Sequence, residues 1–418
     1  MSDDLLQQIQ SLQFSDKPKA EQLLRAFVRD VFPLDVTQVE LRPLAVSLNS
    51  FNGFMTLADG RQLFFKTHIE PDSVVGEYYN SALLAGAGYP IIQPVYRSTE
   101  WGKQLLIYEV VHDPSVFDLA WAIETGQMMD ALPALTHAQH EADEALLRIY
   151  LDTLQWQSAE DAAQSGVHQL FYHRLTGGRL AKFYGPEPSD SEPGTPIVLP
   201  NRSSTMREVR AALWVINGQR YDLTLDQLIG QAVSDLVPGQ PGLSIVGHGD
   251  AHNGNVFFSP TESSLTYFDP AFAGRHHPLL DLTKPLFHNV FAMWMYFPHE
   301  KAAQLEISLR AEGGVWSVTH NYELPPIREM FLDSKVEGVL LPILRELKRQ
   351  GWLLPDWRRF LKSALFCCPF LTMNLTDGSR FPPAISLLGL TMAVEMGAES
   401  YQKRSRIDQM LDAVERRI

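Results

Sequence analysis

His248, Asp250, His252, Asn255 and Asp269 lie close together in GHGDAHNGNVFFSPTESSLTYFDP, which runs from Gly247 to Pro270. A carboxylate such as Asp250 can orient a hydroxyl and take its proton. An amide oxygen and a second carboxylate can share a hard cation such as Mg²⁺, which keeps waters or phosphate oxygens as the rest of its shell. Two β-rich runs, 255–259 and 265–268, flank a turn, and Pro270 closes the second. A hairpin of this kind brings Asp250, Asn255 and Asp269 to one end of a small sheet.

The order of these residues matters. Asp250 and Asn255 have four residues between them, and Asp269 follows after a short hairpin. Phosphoryl transfer uses such a set: a residue that positions the hydroxyl, then an amide and an acid that hold the metal. His248-Gly249-Asp250-Ala251-His252-Asn253-Gly254-Asn255 resembles the HGDxHxxN signature of the aminoglycoside phosphotransferase and choline kinase family. Asp269-Pro270-Ala271, then Gly274 and Asp281-Leu282, is similar to that family's tail motif.

The resemblance covers roughly 40–285. It implies an α+β, protein-kinase-like fold of two lobes: residues 1–111 form a nucleotide-binding lobe with an antiparallel sheet, and 112–418 a larger, mainly helical lobe for catalysis and acceptor binding. It also implies ATP and Mg²⁺ as cofactors and a small-molecule hydroxyl as acceptor. Asp250 is then the catalytic residue, and Asn255 and Asp269 the metal ligands. Asp281 is expected to brace the catalytic loop by accepting its N–H groups. His248 is expected to bond through its ring to backbone near Asp269, and His252 to brace the loop. His248, His252, His276 and His277 show no usual zinc spacing.

Composition sets outer limits. The chain has 418 residues, 45% hydrophobic and 20% charged, enough for two lobes each with a core. Its 35 basic and 49 acidic residues give a net charge of −14, which disfavours nucleic acid and anionic membranes. Cys367 and Cys368 are the only cysteines. Adjacent cysteines are strained as a bridge and too few for a zinc site, which suits a reducing, cytoplasmic setting. MSDDLLQQIQ is acidic and polar, unlike a signal peptide, and no apolar run is long enough to span a bilayer.

In chain order, residues 1–32 read as helical, with Pro18 a break and Pro33 a stop. From 38 to 67 the apolar period becomes two. A first strand carries Val39, Leu41, Leu44, Val46 and Leu48; a turn at 49–53, a strand at 54–57, the Asp59-Gly60 turn and a strand at 62–67 follow. The turn at 49–53 reads as a plain β-turn or as a loop over phosphates; the resemblance puts the family's phosphate loop at Ser50-Phe51-Asn52. Lys66 reads as an edge-strand surface lysine, or as the cation on the α and β phosphates held by Glu77 of a helix over 74–84. Gly88-Tyr89-Pro90 fits the turn that ends this helix in the family. Strands are expected at 91–95 and 105–111, with adenine contacts to backbone near Glu109 and Val111.

In the second lobe, 140–154 is an amphipathic helix, 167–183 a further one, and 185–194 an exposed loop. Thr224 with Gln227 makes a capping box for a helix to about 236, and 243–246 is the strand entering the catalytic loop. Beyond Asp281 the chain reads as mostly helical, with Pro342 starting or kinking a helix and Trp294, Trp352, Trp357 and Phe360 assigned to core. Acidic side chains such as Asp113 or Glu323 could line a pocket for a cationic acceptor. No A-P-E segment occurs, and only eleven residues (270–280) separate Asp269 from Asp281, which leaves little for a peptide substrate to dock on. The alternative to a small-molecule kinase is a nucleotide-binding protein that has lost transfer activity, motivated by the irregular stretch at 49–53.

Overall fold

The N-terminus folds as two helices, α1 (Ser2–Ser15) and α2 (Lys17–Val31), in a computed structural model that describes residues 2–42, 50–68, 77–98, 100, 102–185 and 194–418. The break falls at Asp16, whose carboxylate accepts the Lys19 N–H at 3.3 Å and caps α2. Pro18 therefore begins the second helix rather than ending the first, since a missing N–H costs nothing in a first turn. Leu24, Phe27 and Val28 bury one face of α2, and the helix ends two residues before Pro33.

The chain divides into two compact units, 1–85 with 90–113, and 86–89 with 114–418. The first contains a five-stranded antiparallel sheet: β1 (Val36–Leu41), β2 (Ser50–Leu57), β3 (Gln62–His68), β4 (Tyr96–Ser98) and β5 (Leu105–Glu109), in the order β1-β2-β3-β5-β4. Its core includes Leu24, Phe27, Val36, Leu41, Phe51, Met55, Phe65 and Ile107.

Three expectations change here. The turn predicted at 49–53 is strand from Ser50 onward, because the inward alternation begins at Phe51 and continues through Gly53, Met55 and Leu57. Gly53 is dictated by close approach: a Cβ there would sit 2.0 Å from the Glu40 carbonyl oxygen and 2.8 Å from the Phe65 ring. The strand predicted at 91–95 is irregular, and β4 begins at Tyr96. Pro90 just before that stretch and Pro94 within it each remove a ladder donor. Val111 lies beyond the end of β5. Leu44, Val46 and Leu48 lie outside the described residues. The Asp59-Gly60 turn forms, with Gly60 at φ +86° and the Asp59 carboxylate accepting the Arg61 N–H at 3.0 Å. Helix α3 spans Glu77–Ala87.

The second unit is mainly helical. The predicted helix at 140–154 starts earlier, as Leu132–Thr153. The one expected at 167–183 is two helices, Gly166–Thr176 and Arg179–Tyr184, split where Gly178 takes φ +137°. The loop read at 185–194 falls almost wholly outside the described residues. Thr224 and Gln227 form the capping box at the start of Leu225–Asp235, each side chain taking the other's backbone N–H, at 3.2 and 2.9 Å.

The region after Asp281 is not all helix. Ile307–Glu312 and Val315–His320 form a hairpin around Gly313-Gly314, both at positive φ. Its second strand runs parallel to Leu213–Ile216 in a five-stranded sheet that continues through Gln219–Tyr221 to Ser400–Tyr401. Period-two alternation around a Gly-Gly pair was the readable signal. Pro342 sits in the first turn of Leu341–Arg349, which follows a π-helical stretch, Val336–Leu340. Trp294 and Trp357 are buried and Phe360 is half-buried; Trp352, assigned to core, is 39% exposed. Among the described residues no helix is long and apolar enough to cross a membrane.

Candidate active site

Strand Gly242–Gly247 leads into the HGD loop and lies between Gln155–Gln157 and Gly274–His276, antiparallel to both. Gly247 and Gly249 are imposed by what lies against them. A Cβ on Gly247 would fall 2.4 Å from His276 Nε2 and 2.7 Å from the Asp281 carboxyl carbon. Gly249 has φ +74°, and a Cβ there would meet the Phe272 carbonyl oxygen at 2.3 Å. Asp281 is the hub below the loop. It is 2% exposed and accepts the Gly249 N–H at 2.6 Å, His276 Nε2 at 2.8 Å and the Tyr150 hydroxyl. Burial alone would raise its pKa, but His276, Tyr150 and the Gly249 N–H outweigh that and hold it down at about 2.

The hairpin downstream joins Val256–Ser259 to Ser264–Tyr267 in register Val256↔Tyr267, and the Phe268 N–H continues the ladder to the Asn255 carbonyl at 3.0 Å. Asn255 thus lies beside the segment that carries Asp269. His248 ties the same ends together. Its Nδ1 accepts the Asp250 N–H at 3.3 Å, which puts the proton on Nε2, and Nε2 donates to the Phe268 carbonyl at 3.0 Å. The Asn255 amide nitrogen donates to the Asp250 carbonyl at 2.9 Å, so the amide oxygen is the end turned away from the loop backbone. Asp269 takes a left-handed backbone, φ +56°, a conformation aspartate tolerates better than most residues. Asp250, Asn255 and Asp269 therefore come together at one end of the hairpin.

Sequence reading missed the residue that faces the Asp250 carboxylate. Lys284 Nζ lies 2.8 Å from Asp250 Oδ1, with the Phe272 ring 4.5 Å from the ammonium. The lysine side chain is only 4% exposed and that of Asp250 19%. Burial would raise the Asp250 pKa; the ammonium, with help from His252, reverses this and holds it well below the ordinary carboxylate range. Burial lowers the pKa of Lys284, and Asp250 works against that. Lys284 stands one turn after Asp281 on helix Pro278–His288, every residue of which is buried. Positions three apart share a helix face. One turn therefore grips the loop twice, through backbone at Gly249 and through the side chain of Asp250. The available signal was a lysine inside LLDLTKPLF, since a buried lysine needs a partner.

His252 lies at 3.6 Å from Asp250. Its Nδ1 accepts the Gly254 N–H at 3.1 Å, leaving the proton on Nε2, the atom nearest Asp250. Burial pushes its pKa down, and that of His288 further, so both rings are neutral at neutral pH. His288 Nδ1 is 2.8 Å from the Tyr296 hydroxyl. A second anchor lies past the helix end: Asn289 Oδ1 accepts the Asn253 N–H at 2.7 Å. The Asn289 carbonyl in turn accepts from Arg328 at 3.2 Å, and Arg328 pairs with Glu124 at 2.7 Å.

The residues predicted to bind nucleotide lie in the first unit. Lys66 is half-buried on β3, register partner of Asn52 on β2 and of Leu106 on β5. Directly opposed residues share a sheet face, so Lys66 and Asn52 point the same way. Ser50 begins β2 and Glu77 begins α3; the side chains of both, and with them the expected Lys66–Glu77 pair, lie outside what is described. Glu109 ends β5 and is exposed, and Val111 is half-buried. Asp113 is half-buried, and Glu323 is exposed at the rim of a cavity.

No family model matches the chain, and no curated protein matches it. Among solved structures it is similar to an amicoumacin kinase in complex with AMP-PNP and Ca²⁺, at 16% identity and TM-score 0.45, covering 92% of this chain and 96% of that one. An ethanolamine kinase from Plasmodium vivax matches at 9% identity and TM-score 0.43, covering 90% and 88%. The apoenzyme of a macrolide 2'-phosphotransferase from Brachybacterium faecium matches at 12% identity and TM-score 0.40, covering 93% and 100%.

Proposed function

We propose that this protein is a phosphotransferase that moves the γ-phosphate of ATP, with Mg²⁺, to a hydroxyl of a small molecule: an aminoglycoside, an amino alcohol, a sugar or a hydroxy-amino acid. The observation that supports this most is the Asp250 carboxylate, kept ionised by Lys284 at 2.8 Å beside the hairpin end that carries Asn255 and Asp269. A carboxylate held so far below its ordinary pKa is a weak base. It acts chiefly by accepting a hydrogen bond from the acceptor hydroxyl and aiming it, taking the proton late. That suits a loose transition state, in which little proton transfer is needed before the phosphoryl group moves.

Asn255, through its amide oxygen, and Asp269 would hold the Mg²⁺, which when bound neutralises charge on the phosphate oxygens. Lys66, supported by Glu77, would contact the α and β phosphates. Ser50 and Asn52 would lie over the phosphates, and the backbone near Glu109 and Val111 would bind adenine. Asp281 and His248 fix the loop geometry, and neutral His252 adds an N–H on the far side of Asp250.

The test is ATP turnover across a panel of those four acceptor classes. Asp250→Asn should lower kcat by about 10³-fold or more while leaving the ATP-induced thermal shift intact. No turnover with any acceptor, together with no thermal shift from ATP, overturns the reading. A wild type that binds ATP yet behaves like the variant would instead mark a nucleotide-binding protein without transfer activity.

A further inference from the structure

A cavity of about 290 Å³ opens in the second unit, and none of Asp250, Asn255 and Asp269 lines it. Its size is at the small end for ligand pockets. Its walls come from the turn at 217–219, the segment at 320–324, helix Pro326–Lys335, helix Pro383–Gly397 and the start of Arg406–Glu415.

Most polar groups on these walls are committed to each other. The Asn217 amide oxygen accepts the His320 N–H at 2.8 Å. The Gln219 amide oxygen accepts the Tyr221 hydroxyl at 2.6 Å, and the Tyr322 hydroxyl donates to the Phe291 carbonyl at 3.1 Å. Arg406 Nε donates to Glu329 at 3.0 Å. Glu395 is different. It is 8% exposed and lines the cavity, yet its carboxyl group has no hydrogen bond or ion pair among the described residues. The Lys362 ammonium is already bonded to the Asp408 carboxylate and to the main-chain oxygen of Glu395. Burial, reinforced by Asp408, pushes the Glu395 carboxyl up to about 8.

A carboxyl without a partner inside PAISLLGLTMAVEMG is expensive, and a leucine or methionine would fill the helix position at no such cost. The cavity supplies a reason for the residue. Glu323, Glu329 and Glu395 put three carboxyl groups on its walls against one guanidinium, Arg406, a surplus of two acids (3 − 1). Burial holds His320 down at about 4, so it adds no positive charge at neutral pH. Phe291, Leu324 and Met392 supply apolar wall for a short carbon chain.

We propose that this cavity binds a small molecule through an ammonium group that pairs with Glu395, with Glu323 at the rim drawing the cation in. The site stands independently of the phosphotransfer reading, because its lining shares no residue with that machinery. A diamine suits it: one ammonium meets Glu395 and the second stays near Glu323.

The test is calorimetric titration of the full chain at neutral pH with 1,4-diaminobutane and with its uncharged counterpart 1,4-butanediol. The diamine should bind saturably and the diol at least about tenfold more weakly. Glu395→Gln should weaken the diamine by about tenfold or more, with folding verified by thermal melting. Glu323→Gln, at an exposed position that cannot disturb the core, should weaken it about two- to fivefold. Asp250→Asn should bind the diamine as wild type does. No diamine binding, equal binding of the diol, unchanged affinity in either glutamate variant, or loss of binding in Asp250→Asn would each overturn the proposal.

Discussion

The Asp250 loop and the Glu395 cavity set the same problem, a carboxyl group taken largely out of water, and solve it in opposite ways. At Asp250 an ammonium lies at 2.8 Å, and the carboxylate stays charged despite its surroundings. At Glu395 the lysine within electrostatic reach is spent on Asp408, and the carboxyl is held near 8. Desolvation pushes both groups the same way; a dedicated cation beside Asp250, and a neighbouring carboxylate, Asp408, near Glu395, separate them. A charge kept fixed suits aiming a hydroxyl. One that appears only when a cation arrives suits binding that cation.

Four changes would break or sharpen this contrast, from the largest expected effect to the smallest. Lys284→Met removes the cation and leaves Asp250 unpaired, which should cost roughly 3–5 kcal/mol at pH 7 in urea unfolding. The sign follows from linkage: a depressed carboxylate pKa stabilises the fold above the unfolded value near 3.8 and loses that as pH falls through the folded value. In the variant burial acts on Asp250 without the ammonium and raises its pKa, so the deficit should shrink as the carboxyl takes its proton and shrink further as pH falls below 3.8, and the acid limb of the kcat profile should move to higher pH. A pH-independent deficit would show that Lys284 serves packing alone.

Glu395→Gln runs the other way. A pKa raised from 4.5 to about 8 gives stability that is complete below 4.5 and drains away as pH rises through 8. The glutamine variant should thus gain on the wild type between pH 5 and 8, by on the order of 3 kcal/mol in chemical unfolding without ligand. A constant difference across that window would mean that Glu395 is charged throughout.

Asn289→Ala strips the acceptor from the Asn253 N–H at the back of the loop and should cost about 1–2 kcal/mol, with a rise in amide exchange confined to 252–256 as its signature. Arg310→Ala breaks an exposed pair with Glu312, 79% and 72% exposed, and should stay within about 0.5 kcal/mol of wild type. A larger loss there would mean that charge pairing stabilises this protein even without burial.

The legible parts of the fold were those written in a short window. The Thr224 capping box, the Asp59-Gly60 turn and the hairpin after Asn255 each depend on residues a few positions apart, and each was readable. The stretch at 50–53 was misread because Ser, Asn and Gly imitate a turn, while the pairing with β1 and β3 that makes it strand, and the Phe65 ring that Phe51 packs against, lie elsewhere in the chain. The Ile307–His320 ribbon was overlooked although its alternation and Gly-Gly turn were plain. Gly178 divided a helix that apolar spacing alone had joined.

The sequence by itself determined the hairpin that gathers Asp250, Asn255 and Asp269, because fewer than two dozen residues and one turn fix that arrangement. It also pointed to Asp281 as a brace. Only the tertiary structure decided which side chains answer them: Lys284, placed one helical turn past Asp281; Tyr150, 131 positions from the acid it touches; and Asn289 behind the loop. The isolation of Glu395 was decided there too. Whether a buried charge finds its partner depends on which helices fold against each other, and that choice is made by the whole core rather than by any segment of the chain.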